Sequence, residues 1–560
     1  MHYGALLESP KRRKQLRILY FVIPALALLL AALYSTLHAS YYSSNIQDDI
    51  MYPYLFQHPH LHDILVPGRH ANILKYLLFW LQGALPYNYA MLTITNVGLS
   101  LLALGWWVAL LVYVCGKRYL PVICALLTTI LLVSINFNVN FTETTVRNIE
   151  YPIGLTFIVL VYELLRRRSL SRKHWIIGLV GSLLFSLALA GDSFMLYAFT
   201  APLLVLLGVY WLQAGSLTKQ AWRALGLVIG ATLLGLIIRK AVGHLGIVNY
   251  YFSPVFDAKI LPSGSLGPSI SRALLQLTDL SGGNIFGLTI GLSSLVYFVN
   301  FGFLVVGVVG LLVIIKRVVA SYKLPGATID KQKAFLLGAV ALAFIATFAS
   351  YLLSNLVVSQ QPNGQFADAG QARYITLLPL LAVAGVPYVL ERFYNGRRHL
   401  PVVLVALSLL VALVAIPGAK KSWQGFDAFS NANRQTILNV VAAAKKNDVH
   451  LVVSGDSLGA PVRFWSHNTI QYTSIINCTH RFPYNTRKSW VNSKPAGNVG
   501  LVVDKTGMDD QYWRDCSDKQ IQDFYGKPQY VVNITNPRGT QPIALWVYSH
   551  DIRQNLPWSP

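Results

Sequence analysis

Runs of about 20 consecutive apolar residues recur along this chain, and a helix of that length crosses the hydrocarbon core of a bilayer. The first run, Leu16–Ala39, follows a basic patch, Lys11-Arg12-Arg13-Lys14. Of 560 residues, 54% are hydrophobic and 12% charged, and soluble proteins carry about twice that charge. Spans are expected near 17–39, 88–114, 119–135, 151–165, 174–190, 194–212, 223–241, 286–315, 334–357, 374–390 and 400–416, about eleven in all. The first run resembles a signal peptide. It lacks a small-x-small cleavage site and is long enough to span, so we read it as a retained helix.

The formal charge is +23. In a soluble protein that would suggest nucleic acid. Here the basic residues fall in every second connection: Lys11–Lys14, Lys117-Arg118, Arg166-Arg167-Arg168 with Arg172-Lys173, Lys219 with Arg223, Lys316-Arg317 with Lys331 and Lys333, and Arg392 with Arg397-Arg398. That is the pattern of topogenic signals and anionic-lipid contact, and nucleic acid is not an expected partner. The positive-inside rule makes these connections cytoplasmic, with the N-terminus inside, and an odd number of spans puts everything after Ile416 outside. The expected setting is a plasma (inner) membrane, although Asn-x-Thr sequons at Asn140, Asn477 and Asn533 leave an endoplasmic-reticulum setting open. Cys115 and Cys124 flank a basic connection, whereas Cys478 and Cys516 could pair if their part of the chain is extracytoplasmic.

The first outer loop, residues 40–87, opens with Gln47-Asp48-Asp49. It continues through His58-Pro59-His60-Leu61-His62-Asp63 and Pro67-Gly68-Arg69-His70. Its later part, Ile73–Leu85, is apolar, bears a tryptophan and is too short to span, which suits a helix lying in the membrane interface. Later outer connections carry Glu143, Arg147 and Glu150, then Asp192, then Asp368 beside Arg373. Before residue 420 most acids lie on this side; Glu8, Glu163, Asp330 and Glu391 do not.

From about Lys420 the composition shifts. Asn433–Lys446 reads as an amphipathic helix. Strands are expected at His450–Val453, Thr469–Ile476, Val499–Val503, Tyr530–Ile534 and Ile543–Tyr548, with a helix at Asp518–Tyr525. The expected architecture is an α-helical polytopic membrane module over 1–418 followed by a small extracytoplasmic α/β domain over 419–560. No internal repeat is visible.

The aspartate pair is the strongest chemical signal. Adjacent carboxylates resist simultaneous ionisation unless solvated or bound to a cation. At a membrane face such a group could act as general base toward a hydroxyl, or hold a divalent metal that neutralises a phosphate leaving group. The plain alternative is a solvated turn that caps a helix. A first span, an outer loop opening with an acidic pair, interfacial helices, ten or more spans and an extracytoplasmic C-terminal domain together resemble the GT-C superfamily of membrane glycosyltransferases. Pro67-Gly68-Arg69 with the apolar stretch after it is also similar to bacterial members that modify surface polysaccharides.

The resemblance implies sugar transfer from a polyprenyl-phosphate donor to a cell-envelope glycan or lipid acceptor. Asp48 or Asp49 would be the catalytic base, with Asp49 slightly ahead. The expected chemistry is one inverting displacement, in which the base takes the acceptor proton, the hydroxyl attacks the anomeric carbon and the lipid phosphate leaves. That leaving group needs positive charge. Candidates are Arg69, His70, Arg147, Arg239-Lys240 and Arg373. Arg239-Lys240 could instead snorkel to headgroups, and Arg373 could pair with Asp368. Glu143 and Asp192 could hold sugar hydroxyls or a metal, or cap helices. His58, His60 and His62 alternate, so an extended chain would put them on one face. With Asp63 they are weak metal candidates beside Asp48 and Asp49. No cofactor is assigned beyond an optional divalent cation.

Gly455-Asp456-Ser457-Leu458 resembles the nucleophile block of GDSL esterases. No Asp-x-x-His follows it, so a strand-to-helix turn is expected. Trp465, Tyr472, Trp490 and Trp513 could stack on sugars or form core. A transporter or flippase of lipid-linked glycan would want charges at mid-membrane and repeat symmetry. A polysaccharide polymerase or ligase would want a basic centre.

Overall fold

The computed structural model describes residues 10–43, 47–56, 61–67, 73–85, 88–142, 147–167, 169, 171–214, 218–247, 249–251, 259–288, 291–323, 331–360, 366–368, 371–393, 400–482, 486–508, 510–513 and 516–557. Helix α1 (Pro10–Ser43) leads to α2 (Gln47–Leu55), strand β1 (Ile64–Pro67), a 3-10 turn at Ile73–Lys75 and α3 (Tyr76–Gly83). Then come α4 (Tyr89–Cys115), α5 (Leu120–Val133), α6 (Ile135–Thr142), α7 (Glu150–Arg166) and α8 (Arg172–Gly191). A π turn at Leu196–Thr200 runs into α9 (Ala201–Ala214), and α10 (Lys219–His244), β2 (Asn249–Tyr251), α11 (Leu266–Leu280), α12 (Leu295–Lys323) and α13 (Lys331–Leu352) follow. A hairpin, β3 (Val358–Gln360) and β4 (Phe366–Asp368), precedes α14 (Leu377–Phe393) and the long α15 (Leu400–Lys446).

Among the described residues, 8 helices are long and apolar enough to cross a membrane, in or at α1, α4, α8, α10, α12, α13, α14 and α15. The expected spans at 119–135, 151–165 and 194–212 are shorter pieces. Helices α5 and α6 form one pair bent by 98°. At the break, the Ser134 hydroxyl accepts from the Phe137 amide at 3.0 Å and donates to the Asp279 carbonyl at 2.8 Å, so the side chain competes for the backbone. Helix α7 has 17 residues, with Glu150 and Arg166 at its ends. The apolar helix Leu196–Trp211 starts in the π turn just past Asp192. Helix α15 is also longer than expected: the apolar run at 400–416 and the amphipathic stretch at 433–446 are one helix of 47 residues.

The bundle has two unlike ends. At one, Arg118 pairs with Glu391, Glu163 pairs with Arg166 and Arg167 and accepts from the Tyr113 hydroxyl, and Arg317 lies 5.0 Å over the Tyr388 ring. The acids Glu163 and Glu391, which break the charge pattern of the sequence, are therefore neutralised locally by arginine. The other end, about 25 Å away along α7 at 1.5 Å per residue, carries α2, α3 and the C-terminal part of the chain. Helix α3 buries Phe79 and Gln82 but leaves Leu77 (66%), Trp80 (55%) and Leu81 exposed, an apolar face turned away from the protein.

Beyond α15 the chain builds a mixed sheet of six strands in the order β10-β11-β9-β5-β6-β7: β5 (Val449–Ser454), β6 (Gln471–Ile476), β7 (His480–Arg481), β9 (Asn498–Val503), β10 (Tyr530–Ile534) and β11 (Ile543–Tyr548). Strands β9, β5 and β6 are parallel, and α16 (Asp456–Trp465) crosses from β5 to β6. One face packs on Ile437, Val440 and Ala444 of α15 and Leu458 and Val462 of α16. The other packs on Trp513, Ile521 and Tyr525, with Cys478 and Cys516 joined by a disulfide. A separate small sheet ties three distant parts together: β1 of the first loop pairs in parallel with β2 and antiparallel with β8 (Thr486–Arg487).

Helices α12 and α14 approach until their backbones touch. A Cβ on Gly385 would overlap the Gly307 carbonyl, and one on Gly310 the Gly385 carbonyl. Small residues permit this closeness because no side chain stands between the two backbones. Gly385→Ala is expected to cost about 1–3 kcal/mol by overpacking, read as a lower unfolding temperature in detergent. Gly98→Ala, whose Cβ would have nothing within 4 Å, should change little.

Candidate functional site

Helix α2 carries Asp48 and Asp49 in its first turn, where the helix dipole favours negative charge. Their backbone is described; their side chains lie outside the described residues. Downstream, Ile50, Met51, Tyr54 and Leu55 are buried at i, i+1, i+4 and i+5, one face of a helix. That face enters a cluster with Ile73 and Phe79 of the first loop, Leu92 of α4, Ala190 of α8, and Ala460, Phe464, Tyr472 and Trp490 of the C-terminal region. Ile238 and Val242 of α10 pack against the same cluster. The aspartate pair thus sits inside a helical turn wedged between the bundle and the sheet.

Two buried arginines from the C-terminal region hold the other end of α2. Arg487 donates to the carbonyl of Leu55, an acceptor that the end of a helix leaves open. Burial draws the Arg487 guanidinium below its usual range, and Asp63, 3.9 Å away, opposes this. Arg463 lies 3.7 Å over the Trp490 ring and 4.5 Å over the Tyr54 ring, and donates to the Tyr54 hydroxyl at 3.2 Å. Behind them, Arg553 donates to the carbonyls of Trp490 and Ser493 and is paired with Asp551 at 2.8 Å. Burial alone would raise the Asp551 carboxyl; the hydrogen bonds from Arg553 outweigh it and hold the group below the ordinary aspartate range.

Beside α2 lie four buried charges. Lys75, in the 3-10 turn, pairs with Glu150 at 3.2 Å, with side chains 1% and 4% exposed. Arg147 pairs with Asp192, the C-cap of α8, whose carboxylate also accepts from the Phe194 amide at 2.9 Å. The Arg147 guanidinium stacks 4.1 Å from the Tyr374 ring and 5.3 Å from Phe194. Tyr151 donates to the Tyr374 carbonyl at 3.2 Å. Two cations and two carboxylates cancel, which is how an interior of low dielectric tolerates them. The pairs join the first loop, the start of α7, the end of α8 and the approach to α14.

Several residues singled out in the sequence therefore gather at one end of the bundle. Arg147 and Asp192 meet directly. Arg373 lies 5.7 Å from the Tyr374 ring, on the neighbouring residue. Arg239 and exposed Lys240 lie between Ile238 and Val242, which touch the α2 cluster. Arg69, His70, Glu143, His58 and His60 lie outside the described residues, as does the Asp368 side chain. His62 is exposed, and Asp63 accepts from the Ser489 amide at 2.9 Å. No group of three or more His, Cys, Asp and Glu able to hold a metal occurs among the described residues.

In the C-terminal region, Gly455-Asp456 makes the turn from β5 into α16, and Asp456 accepts from the Tyr512 hydroxyl. Tyr472, Trp490 and Trp513 are buried, while Trp465 lies half-buried under Arg434 at 4.4 Å. Sequence reasoning passed over Lys75 and left Glu150 without a role. The signal was present: Lys75 is the only charge in the apolar stretch Ile73–Leu85. It also passed over Arg463, Arg487 and Arg553. No protein-family model and no curated protein matches this chain.

Lys75→Met would strand Glu150 in the interior at a cost of about 3–5 kcal/mol, and Lys75→Met with Glu150→Leu should recover most of it. Thermal unfolding of both variants in detergent checks this; equal losses would show that the pair is not coupled. Because the Asp551 carboxyl is depressed in the folded state, its contribution is present above the ordinary aspartate range near about 4. It is lost as pH falls from there through the folded value. Unfolding measured from pH 6 to pH 3 should show that loss, and Asp551→Asn should flatten the curve in this window.

Proposed function

We propose that this chain is a multi-pass membrane glycosyltransferase of the GT-C kind. It would move a sugar from a polyprenyl-phosphate donor to a cell-envelope glycan or lipid acceptor, with Asp49 or Asp48 as general base. The observation that carries this reading is the placement of α2. The turn bearing both aspartates is clamped between bundle and sheet, at the end of the bundle where Arg147, Arg239, Lys240 and Arg373 occur. A base near cations is what an inverting displacement from a lipid phosphate requires.

The base takes the proton of the acceptor hydroxyl. The oxygen attacks the anomeric carbon as the bond to the phosphate oxygen breaks, and positive charge stabilises the departing lipid phosphate. Arg147 is already neutralised by Asp192 and braces the site, and Arg239, Lys240 and Arg373 would add positive charge toward the phosphate. A divalent cation held with the aspartates would serve the same electrostatic end.

Membrane topology belongs to the same proposal. The arginine-rich end of the bundle is the cytoplasmic end, and helices α1, α4, α5, α7, α8, α9, α10, α12, α13, α14 and α15 supply eleven crossings. The α2 end then faces outward, with the C-terminal sheet beyond it, and the Cys478–Cys516 disulfide suits that oxidising side. The exposed apolar faces of α3 and of α11, with Leu266, Ile270 and Leu274 at successive turns, suit the interface.

Purified protein should release lipid phosphate and transfer sugar from one member of a panel of polyprenyl-phosphate sugars. Asp49→Asn or Asp48→Asn should lower the rate by about 10²–10⁴-fold with the fold intact, the usual contribution of a general base. Transfer at full rate by both variants would remove the aspartates from the mechanism. No transfer from a complete panel would remove the function.

A further inference from the structure

Helices α1 and α15 run parallel and in register. Tyr34 contacts Trp423 with ring centroids 6.5 Å apart, His38 meets Asp427 at 3.0 Å, and Tyr41 donates to Asn431 at 2.5 Å. Below these contacts the two helices separate, and with α5 they enclose a lateral groove of about 440 Å³. Small residues account for the gap: Ala27 and Ala31 of α1 and Ala412 and Ala419 of α15 line it. The exposed neighbours Leu30, Leu413 and Ile416 show that it opens to the side of the bundle.

The lining runs from Ile23 to Tyr34 on α1 and from Leu409 to Lys420 on α15. At 1.5 Å per residue that is about 17 Å, close to one leaflet of a hydrocarbon core about 30 Å thick. Lys420 is the single charged residue of the lining and sits at the upper end, level with Ala31 and Tyr34. Among the described residues no carboxylate pairs with it.

We propose that this groove binds a lipid phosphate, with a tail between α1, α5 and α15 and the phosphate on Lys420. The length matches a leaflet, and the only lining charge is a cation where a headgroup would stand. Helix α1 continues nine residues past Tyr34 before α2 begins, about 14 Å further along its axis. The groove is therefore a lipid site apart from the aspartate turn. It rests on the membrane reading and not on sugar transfer.

The test uses the full chain in detergent and equilibrium binding of geranylgeranyl phosphate followed by native mass spectrometry. Geranylgeraniol and inorganic phosphate are the comparison probes. Saturable binding is expected, weakened about tenfold by Lys420→Gln, which corresponds to one charge-assisted contact. Ala412→Phe should abolish it by filling the groove, and Ala27→Phe does so from the opposite wall should the first variant fail to fold. Geranylgeraniol should bind weakly and ignore Lys420→Gln. Equal binding by wild type and all variants, or competition by inorganic phosphate as strong as by geranylgeranyl phosphate, would overturn the proposal. Asp49→Asn should bind normally, so a failed transferase reading leaves this result standing. Recovery of the chain from detergent-free extracts would instead defeat the membrane reading itself.

Discussion

A buried charge must find its opposite, and that requirement organises the upper end of this molecule. Lys75, Glu150, Arg147 and Asp192 come from three separate stretches of chain, and none would be tolerated alone in the interior. Their pairing brings the turn before α3 against the start of α7, and the end of α8 against the residues that open α14. Ile73 and Ala190, each two residues from a member of these pairs, pack in the cluster that buries α2. The pairs contribute little net stability compared with an apolar substitute of the same shape, but any arrangement that separated them would be strongly penalised. Their value is in specifying one arrangement of loops over an otherwise apolar bundle.

The C-terminal sheet completes α2 from above. A nine-residue helix is too short to persist on its own in water. Its buried face is shared between bundle and sheet, and its last carbonyl is capped by Arg487. The chain Asp551–Arg553–Trp490–Arg463–Tyr54 carries the order of the sheet into the helix through charge-assisted hydrogen bonds and ring stacking. The sheet is therefore part of the machinery that positions the aspartate turn. Whatever loosens it loosens the candidate centre.

Much of the architecture was legible in advance because periodicity and hydropathy are local properties. The strands at Thr469–Ile476, Val499–Val503, Tyr530–Ile534 and Ile543–Tyr548 form within a residue or two of where their apolar patterns place them, as does the helix Asp518–Tyr525. The expected span 151–165 matches α7 to within a residue at each end, whereas 119–135 and 194–212 are shorter, one ended by the serine that breaks α5 from α6 and the other preceded by a π turn after Asp192. The continuity of α15 was missed because the composition shifts near Lys420, where the apolar part gives way to the amphipathic part, although one helix runs through both.

The candidate centre divides in the same way. The aspartate pair, Arg147, Asp192 and Arg373 stand out in the sequence as charges at the ends of apolar runs, where each is costly and therefore conspicuous. The sequence determined that these residues lie near one end of a helical bundle, and that a strand-rich region follows it. Only the tertiary structure decided which cation meets which carboxylate, that a lone lysine in an apolar stretch is buried against Glu150, and that arginines some 400 residues downstream close over the aspartate helix. The physical reason is that hydropathy acts residue by residue along the chain, whereas neutralising a buried charge or capping a helix needs a partner that folding alone brings within reach.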